Sequence, residues 1–405
     1  MNSTWLERHF VRYGLAAIFA VVPTLSAALA SEDTVAKWNE RALAFMHAEK
    51  TPDTVLEARA LAILNIAQVT AMKARAGALE GDRVLAAHAA AHRVLASLYP
   101  AEAAALDQAF AAAVAGADDS KSTRDDLAAG EAAAVTILAE RKGDGSATVA
   151  PDAYRPITSP GVYVSTALPV WTNYPAAKPF VLSSTAQFRP GPPPDLASTI
   201  WARDYNETRE LGGTKSSKRT ALQTETADFW RQLSGTEAWN QIALQLLASK
   251  SHSTIETAIL LRDMNEALYD SYLAVAEAKF HYNFWRPITA IRNGDITGNT
   301  ATPRDPSWTP LFPTPAFPEY PCAHCIVDTA AGAVIEALFG SGTLPEFSLS
   351  TSGLPGVIHH FASLKQVQDE VDMARIWGGV HFRNSTEVAD EMGRKIGAFV
   401  VTHQP

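Results

Sequence analysis

Apolar positions recur at helical spacing along most of this chain, and β-branched residues alternating with polar ones are scarce. Residues 54–76 and 83–98 carry apolar side chains with a helical period, and Pro100 ends that run. The alanine-rich stretches 101–115 and 124–141 read as two more helices, the second stopped by Lys142-Gly143-Asp144-Gly145-Ser146. Helical periodicity returns at 197–211, 217–234 and 237–248. The longest run is 254–282, with His252 and Ser253 before it as candidate caps, and shorter ones follow at 326–339, 364–376 and 387–401. Helix follows helix, so the pattern predicts an all-α protein of packed bundles with no parallel sheet.

Two stretches break the pattern. Residues 150–194 and 294–320 are rich in proline, aromatic and small polar residues, as in Pro169-Val170-Trp171-Thr172-Asn173-Tyr174-Pro175. A segment as long as the first is either packed over a site or wrapped around the bundle, and the sequence leaves both readings open. The resulting division is a leader over 1–30, an N-terminal helical region over 31–150, a proline-rich wrap with helices over 151–250, and a C-terminal helical bundle over 251–405.

The leader is expected to be a cleaved signal peptide. Arg8 and Arg12 precede an apolar stretch from Gly14 to Leu25, and Ala28-Leu29-Ala30 supplies small residues at the cleavage spacing. Pro23 interrupts that stretch, which is short for a bilayer, and no later stretch has the length of a membrane helix. The mature chain is therefore expected in the periplasm or outside the cell, without a membrane span.

Hydrophobic residues make up 47% of the 405 and charged ones 19%, the balance of a folded globular protein. The formal net charge of -9 argues against nucleic acid as a partner, because duplex binding needs clustered lysine and arginine. Any anion site must be a local basic pocket. The two cysteines, Cys322 and Cys325, are spaced for a tight local disulfide that closes too short a loop to stabilise the fold much. They lack the second metal-spaced pair that zinc would need. His88 and His92 have metal-ligand spacing, but with no third ligand nearby they read as packed helix.

Three short stretches carry the candidate chemistry. Lys279 and Arg286 are seven residues apart, roughly 10 Å of helical rise, so both could face one side of a continuous helix. Arginine offers a planar fork to two oxygens and lysine a point charge, and Pro287 fixes where the guanidinium sits. Pro321-Cys322-Ala323-His324 leads from the second irregular stretch into a helix, whose first N–H groups attract anions. Arg375 and His381, six residues apart, would diverge by about 120° on one helix, but Gly378-Gly379 permits a break between them. Asn384 and Glu387 have the spacing of a capping box for the next helix. Together the three stretches describe an oxyanion cradle: cations for the oxygens of a tetrahedral anion, and histidines for its central atom and apical oxygen.

With those residues in view, the chain resembles the vanadium-dependent haloperoxidase and type 2 phosphatidic acid phosphatase superfamily. Its pattern is a lysine, six residues, Arg-Pro; then Pro-Ser-Gly-His; then Ser-Arg, five residues, His. Phe280-His281-Tyr282-Asn283-Phe284-Trp285, Ile288-Thr289-Ala290-Ile291-Arg292, Phe317-Pro318-Glu319-Tyr320, Gln187-Phe188-Arg189-Pro190 and Asp204-Tyr205-Asn206-Glu207 look like the haloperoxidase branch, extending the likeness from about residue 120 to the C-terminus. The chain departs from the pattern at Cys322 for serine, Ala323 for glycine and Ala374 for the serine before the arginine. Ser385 stands where many relatives carry aspartate, four residues after the ligand histidine.

The resemblance implies an all-helical fold of two bundles with the anion site in the C-terminal one. It implies that Lys279, Arg286 and Arg375 bind equatorial oxygens beside Cys322 and the backbone N–H of Ala323. His381 would be the vanadate ligand or the phosphorylated nucleophile, His324 the acid–base residue, and Phe317 a neighbour of the halide site. The leading expectation is a vanadate-dependent peroxidase that uses peroxide to oxidise halide or organic substrates. The alternatives are a cofactor-free acid phosphatase working through a phosphohistidine at His381, and a non-catalytic oxyanion-binding helical protein. Partners are small molecules in every case, and a homo-oligomer is compatible with each.

Overall fold

The computed structural model describes residues 34–48, 53–77, 80–147, 159–165, 167–249, 252–340 and 344–404. The expected leader and its cleavage site lie outside them. Thirteen α-helices occur among the described residues: α1 Thr34–Ala48, α2 Thr54–Ala74, α3 Glu80–Leu98, α4 Ala103–Val114, α5 Lys121–Glu140, α6 Thr199–Leu211, α7 Ala221–Gln232, α8 Gly235–Ala248, α9 Thr254–Tyr282, α10 Pro287–Arg292, α11 Ala323–Phe339, α12 Leu364–Trp377 and α13 Arg383–Thr402. The protein is all-α, as its periodicity predicts. One antiparallel hairpin, β1 Phe347–Ser350 with β2 Ile358–Phe361, was not legible in that periodicity and pairs Phe347 with Phe361.

Local chemistry sets most helix starts. Ser120, Ser198 and Ser234 accept N–H bonds from the first turns of α5, α6 and α8, while Thr220 with Gln223 and Ser253 with Glu256 form full capping boxes on α7 and α9. Helix α13 departs from expectation. It begins at Arg383, so Asn384 and Glu387 lie inside it, and its N-cap residue Phe382 makes no side-chain cap bond. Carboxylates from elsewhere cap it instead: Glu319 accepts Phe382 N–H at 3.1 Å and Asp204 accepts Asn384 N–H at 2.8 Å.

The two largest of four apolar clusters among the described residues are formed by the helices. Helices α1 to α5 enclose one around Leu61, Leu64, Val94 and Leu95, and α9, α11, α12 and α13 with α7 and α8 enclose the other around Leu261, Leu268, Val327 and Ile396. Helix α2 is long and apolar enough to cross a membrane, yet it packs against α3, α5 and α9 and is largely buried. Where α1, α2, α8 and α9 meet, the amides of Asn39, Asn65, Asn240 and Asn265 bond one another in a fully buried network. That network fixes one register, because any slip would strand buried donors and acceptors.

The proline-rich segment wraps α9. Asp270 accepts the N–H groups of Phe180, Val181 and Leu182 at 2.7–2.9 Å, and Arg141 donates to the carbonyls of Lys178 and Pro179. It continues over the C-terminal bundle, where Val170 N–H donates to the Ala316 carbonyl at 3.0 Å. Wrap and cover are therefore the same segment.

Candidate oxyanion-binding site

Lys279 and Arg286 reach one place without sharing a helix. Helix α9 ends at Tyr282, Asn283 takes a left-handed conformation with φ 47°, and Arg286 stands at the N-cap of α10. The helix thus ends where the 254–282 run ends, and asparagine tolerates the turn that follows better than most residues. Lys279 is fully buried, and its ammonium donates to the carbonyls of Pro318 at 3.1 Å, Glu319 at 2.8 Å and Pro321. It thereby fixes the loop that leads into α11. Arg286 is equally buried and donates from Nε to the Phe317 carbonyl at 2.9 Å and from Nη1 to the Val380 carbonyl at 2.8 Å.

The break between Arg375 and His381 occurs at the glycines. Helix α12 ends at Trp377, and Gly379 has φ 73°. A Cβ on Gly379 would lie 2.3 Å from the Gly212 carbonyl oxygen, so both conformation and close approach require glycine. The chain then places His381 just before α13, with its ring 2% exposed.

The tautomer of His381 follows from its neighbours. Arg286 Nη1 lies 3.3 Å from Nε2, and a guanidinium can only donate. Nε2 therefore carries the lone pair, and Nδ1–H donates to Glu319 Oε1 at 2.7 Å. Burial, then Arg286 and Lys279, hold the imidazole well below its ordinary pKa. His381 is a neutral base with its lone pair beside the cations. Burial pushes the Glu319 carboxyl up to about 7, while Lys279 and Arg286 act to keep it ionised. Glu319 thus supplies a carboxylate partner for His381. Ser385 Oγ lies 3.4 Å from the same Nδ1.

His324 sits in the first turn of α11, half-buried, with no side-chain hydrogen bond among the described residues. Burial, then Arg375, Lys279 and Arg286, hold its pKa well below the ordinary value. A bound anion would offset those three cations and let the ring take a proton. The backbone N–H groups of Ala323 and His324 make no hydrogen bond among the described residues and open the helix toward an anion.

Cys322 corrects one expectation. Its Sγ is bonded to Cys325, so no thiol is present to donate to an oxyanion. It caps α11 instead, accepting Cys325 N–H at 3.3 Å. His88 and His92 serve packing: His88 accepts the Trp38 indole N–H at 2.9 Å, and His92 stacks on Phe110 and meets Asp107 at 2.7 Å. No group of three metal-binding side chains occurs among the described residues.

Phe317 forms one wall. Lys279 Nζ and Arg286 Cζ lie 5.1 and 5.0 Å from its ring centroid, and Trp171 stacks on it at 4.4 Å. The donors left over define the cradle. Among the described residues, Arg286 Nη2 and Arg375 Nε are buried without a partner, and Arg375 makes a single 3.4 Å bond, to the Trp230 carbonyl. Burial pushes both guanidinium pKa values down to about 10, so both stay charged.

Residues 260–404, which hold all of these cations and histidines, match the family model of the VCPO second helical-bundle domain. Over these residues the chain is similar to that helical-bundle domain. The fold of the chain is similar to that of the first bacterial vanadium-dependent iodoperoxidase, with a TM-score of 0.73 at 23% identity over 94% of this chain and 96% of that one. A holo-type bacterial vanadium-dependent chloroperoxidase gives 0.69 at 16% identity over 87% and 92%. Its apo-type counterpart gives 0.68 at 17% over 87% and 94%. No curated protein matches the chain by sequence.

Three residues of the C-terminal bundle and its cover escaped the sequence reading of the site. Glu319 was visible only as part of a resemblance, and Trp171 only as part of an irregular segment. Asp328, one turn beyond His324 on α11, gave no signal beyond being a carboxylate in an apolar run. It is 1% exposed and accepts the Trp239 indole N–H at 2.5 Å.

Proposed function

We propose that this protein is a vanadium-dependent peroxidase of the haloperoxidase type, exported behind a cleaved leader. The observation that carries the reading is the pair of buried, unpartnered guanidinium donors, Arg286 Nη2 and Arg375 Nε, beside the lone pair of His381 Nε2. Three buried cations in an acidic protein call for a compact, multiply charged anion. Vanadate fits that donor set.

Arg286 and Arg375 would hold its equatorial oxygens, Lys279, with its three N–H groups on backbone carbonyls, would add positive charge, and His381 would bind through Nε2. When bound, vanadate supplies a Lewis-acidic centre that activates hydrogen peroxide for two-electron oxidation of a halide or an organic sulfide. Glu319 keeps the His381 proton on Nδ1 and so keeps Nε2 free to bind. His324, neutral until anion charge offsets the cations, is placed to take a proton from incoming peroxide. Phe317 and Trp171 keep bulk water from one side.

Purified full-length mature protein should oxidise bromide or iodide with peroxide only after loading with orthovanadate. Hydrolysis of phosphate monoesters, inhibited by vanadate and without halide oxidation, would make the protein a phosphatase with His381 as its nucleophile. His381→Ala should abolish whichever activity is found.

A further inference from the structure

The Cys322–Cys325 disulfide closes a four-residue ring that contains Ala323 and His324. That ring holds the two free backbone N–H groups and the imidazole of the cradle. It is tied on both sides to the other anion-binding elements. Cys322 N–H donates to the Ser385 carbonyl at 3.1 Å, in the first turn of α13 after His381, and Lys279 donates to the carbonyl of Pro321. Both cysteines are buried, at 0% and 1% exposure, so a reductant reaches the sulfurs only when the first turn of α11 opens.

We propose that Cys322–Cys325 is a reversible redox clasp, closed for tight oxyanion binding and open for weak binding. Reduction by a small dithiol transfers two electrons and two protons: the Cys322–Cys325 bond breaks, two thiols form, and the reductant becomes a disulfide. Cys322 Sγ remains at the N-cap of α11, where it accepts Cys325 N–H and the helix N–H groups favour its thiolate. That thiolate puts a negative charge beside the Ala323 and His324 N–H groups that an oxyanion would use. The first turn, no longer closed by sulfur, also holds His324 less firmly.

Hydrogen peroxide recloses the ring. The Cys322 thiolate attacks one peroxide oxygen, the O–O bond breaks, hydroxide leaves and takes up a proton, and a sulfenic acid forms. The Cys325 thiol then displaces water from that sulfur. The sum is two thiols and one peroxide giving one disulfide and two waters.

The clasp goes beyond the peroxidase reading and does not depend on it, because inorganic phosphate serves as a redox-inert probe. Binding is measured by calorimetry on the oxidised full-length protein and again after treatment with a dithiol, with thiols counted in both samples. The expected result is a rise from zero to two thiols and a phosphate affinity lower by on the order of tenfold. Cys325→Ser should bind weakly with or without dithiol, and Cys322→Ser/Cys325→Ser should bind equally in both conditions. The clasp is refuted if two thiols appear with affinity unchanged, or if none appears while the protein stays folded by circular dichroism. Failure to oxidise halide would overturn the peroxidase reading alone.

Discussion

Glu319 and His381, 62 residues apart in sequence, meet at 2.7 Å in a fully buried hydrogen bond, and that contact aims the Nε2 lone pair of His381 at the cations. Glu319→Gln keeps the shape but removes the charge that secures the Nδ1 proton. Phosphate or vanadate affinity should fall about 10–100-fold, as for other residues that orient a ligand histidine, while the melting temperature changes little. An unchanged affinity would show that the carboxylate does not set the histidine's tautomer.

Lys279 and Arg375 should separate cleanly. Lys279 supplies the donor to three buried carbonyls, so Lys279→Met should lower stability by about 3 kcal/mol or more, measured by denaturant unfolding. Arg375 makes only one long bond, so Arg375→Met should leave unfolding nearly unchanged and weaken phosphate binding at least about tenfold. Equal stability losses in the two variants would contradict this division.

Trp171 covers Phe317 from a left-handed backbone position with φ 67°, a conformation that disfavours a bulky residue. Trp171→Ala should cost about 1 kcal/mol through the lost stack and should speed phosphate release several-fold in stopped-flow displacement. If release is unchanged, the proline-rich segment wraps the bundle without guarding the site.

Asp328 should leave a signature in stability against pH. Burial pushes its carboxyl up to about 8, with the Trp239 hydrogen bond and Arg375 opposing and Asp390 reinforcing. Its ordinary value is about 3.9, so between roughly pH 4 and 8 the folded protein holds a proton that the unfolded chain has released. Stability from this group is therefore present at low pH and is lost as pH rises toward 8. Asp328→Asn cannot titrate, so its stability relative to wild type should improve from pH 5 to pH 8, by at most about 1.4 kcal/mol per pH unit. Parallel unfolding midpoints at the two pH values would rule this out.

Much of the fold was legible because helix formation is local. Periodicity located the long runs, Ser253 and Pro100 marked a start and a stop, and Gly378-Gly379 announced the break between Arg375 and His381. The reading of Asn384 and Glu387 as a capping box failed because Glu319 and Asp204 reach the start of α13 from distant segments. Lys279 on α9 and Arg286 beyond its end converge for a reason equally remote from local pattern. Their convergence depends on the turn at Asn283, braced by Tyr163 N–H donating to the Asn283 carbonyl at 2.8 Å.

By itself the sequence determined the residue types of the cradle, their order, and the helices that present them, since spacing and propensity act within a few turns. Only the tertiary structure decided which nitrogen of His381 is free, which carboxylate holds the other, and what covers Phe317. It also closed Cys322 and Cys325 into a disulfide, where spacing alone allowed either state. These outcomes depend on groups from separate segments losing water together in one buried space, and no local pattern along the chain encodes that encounter.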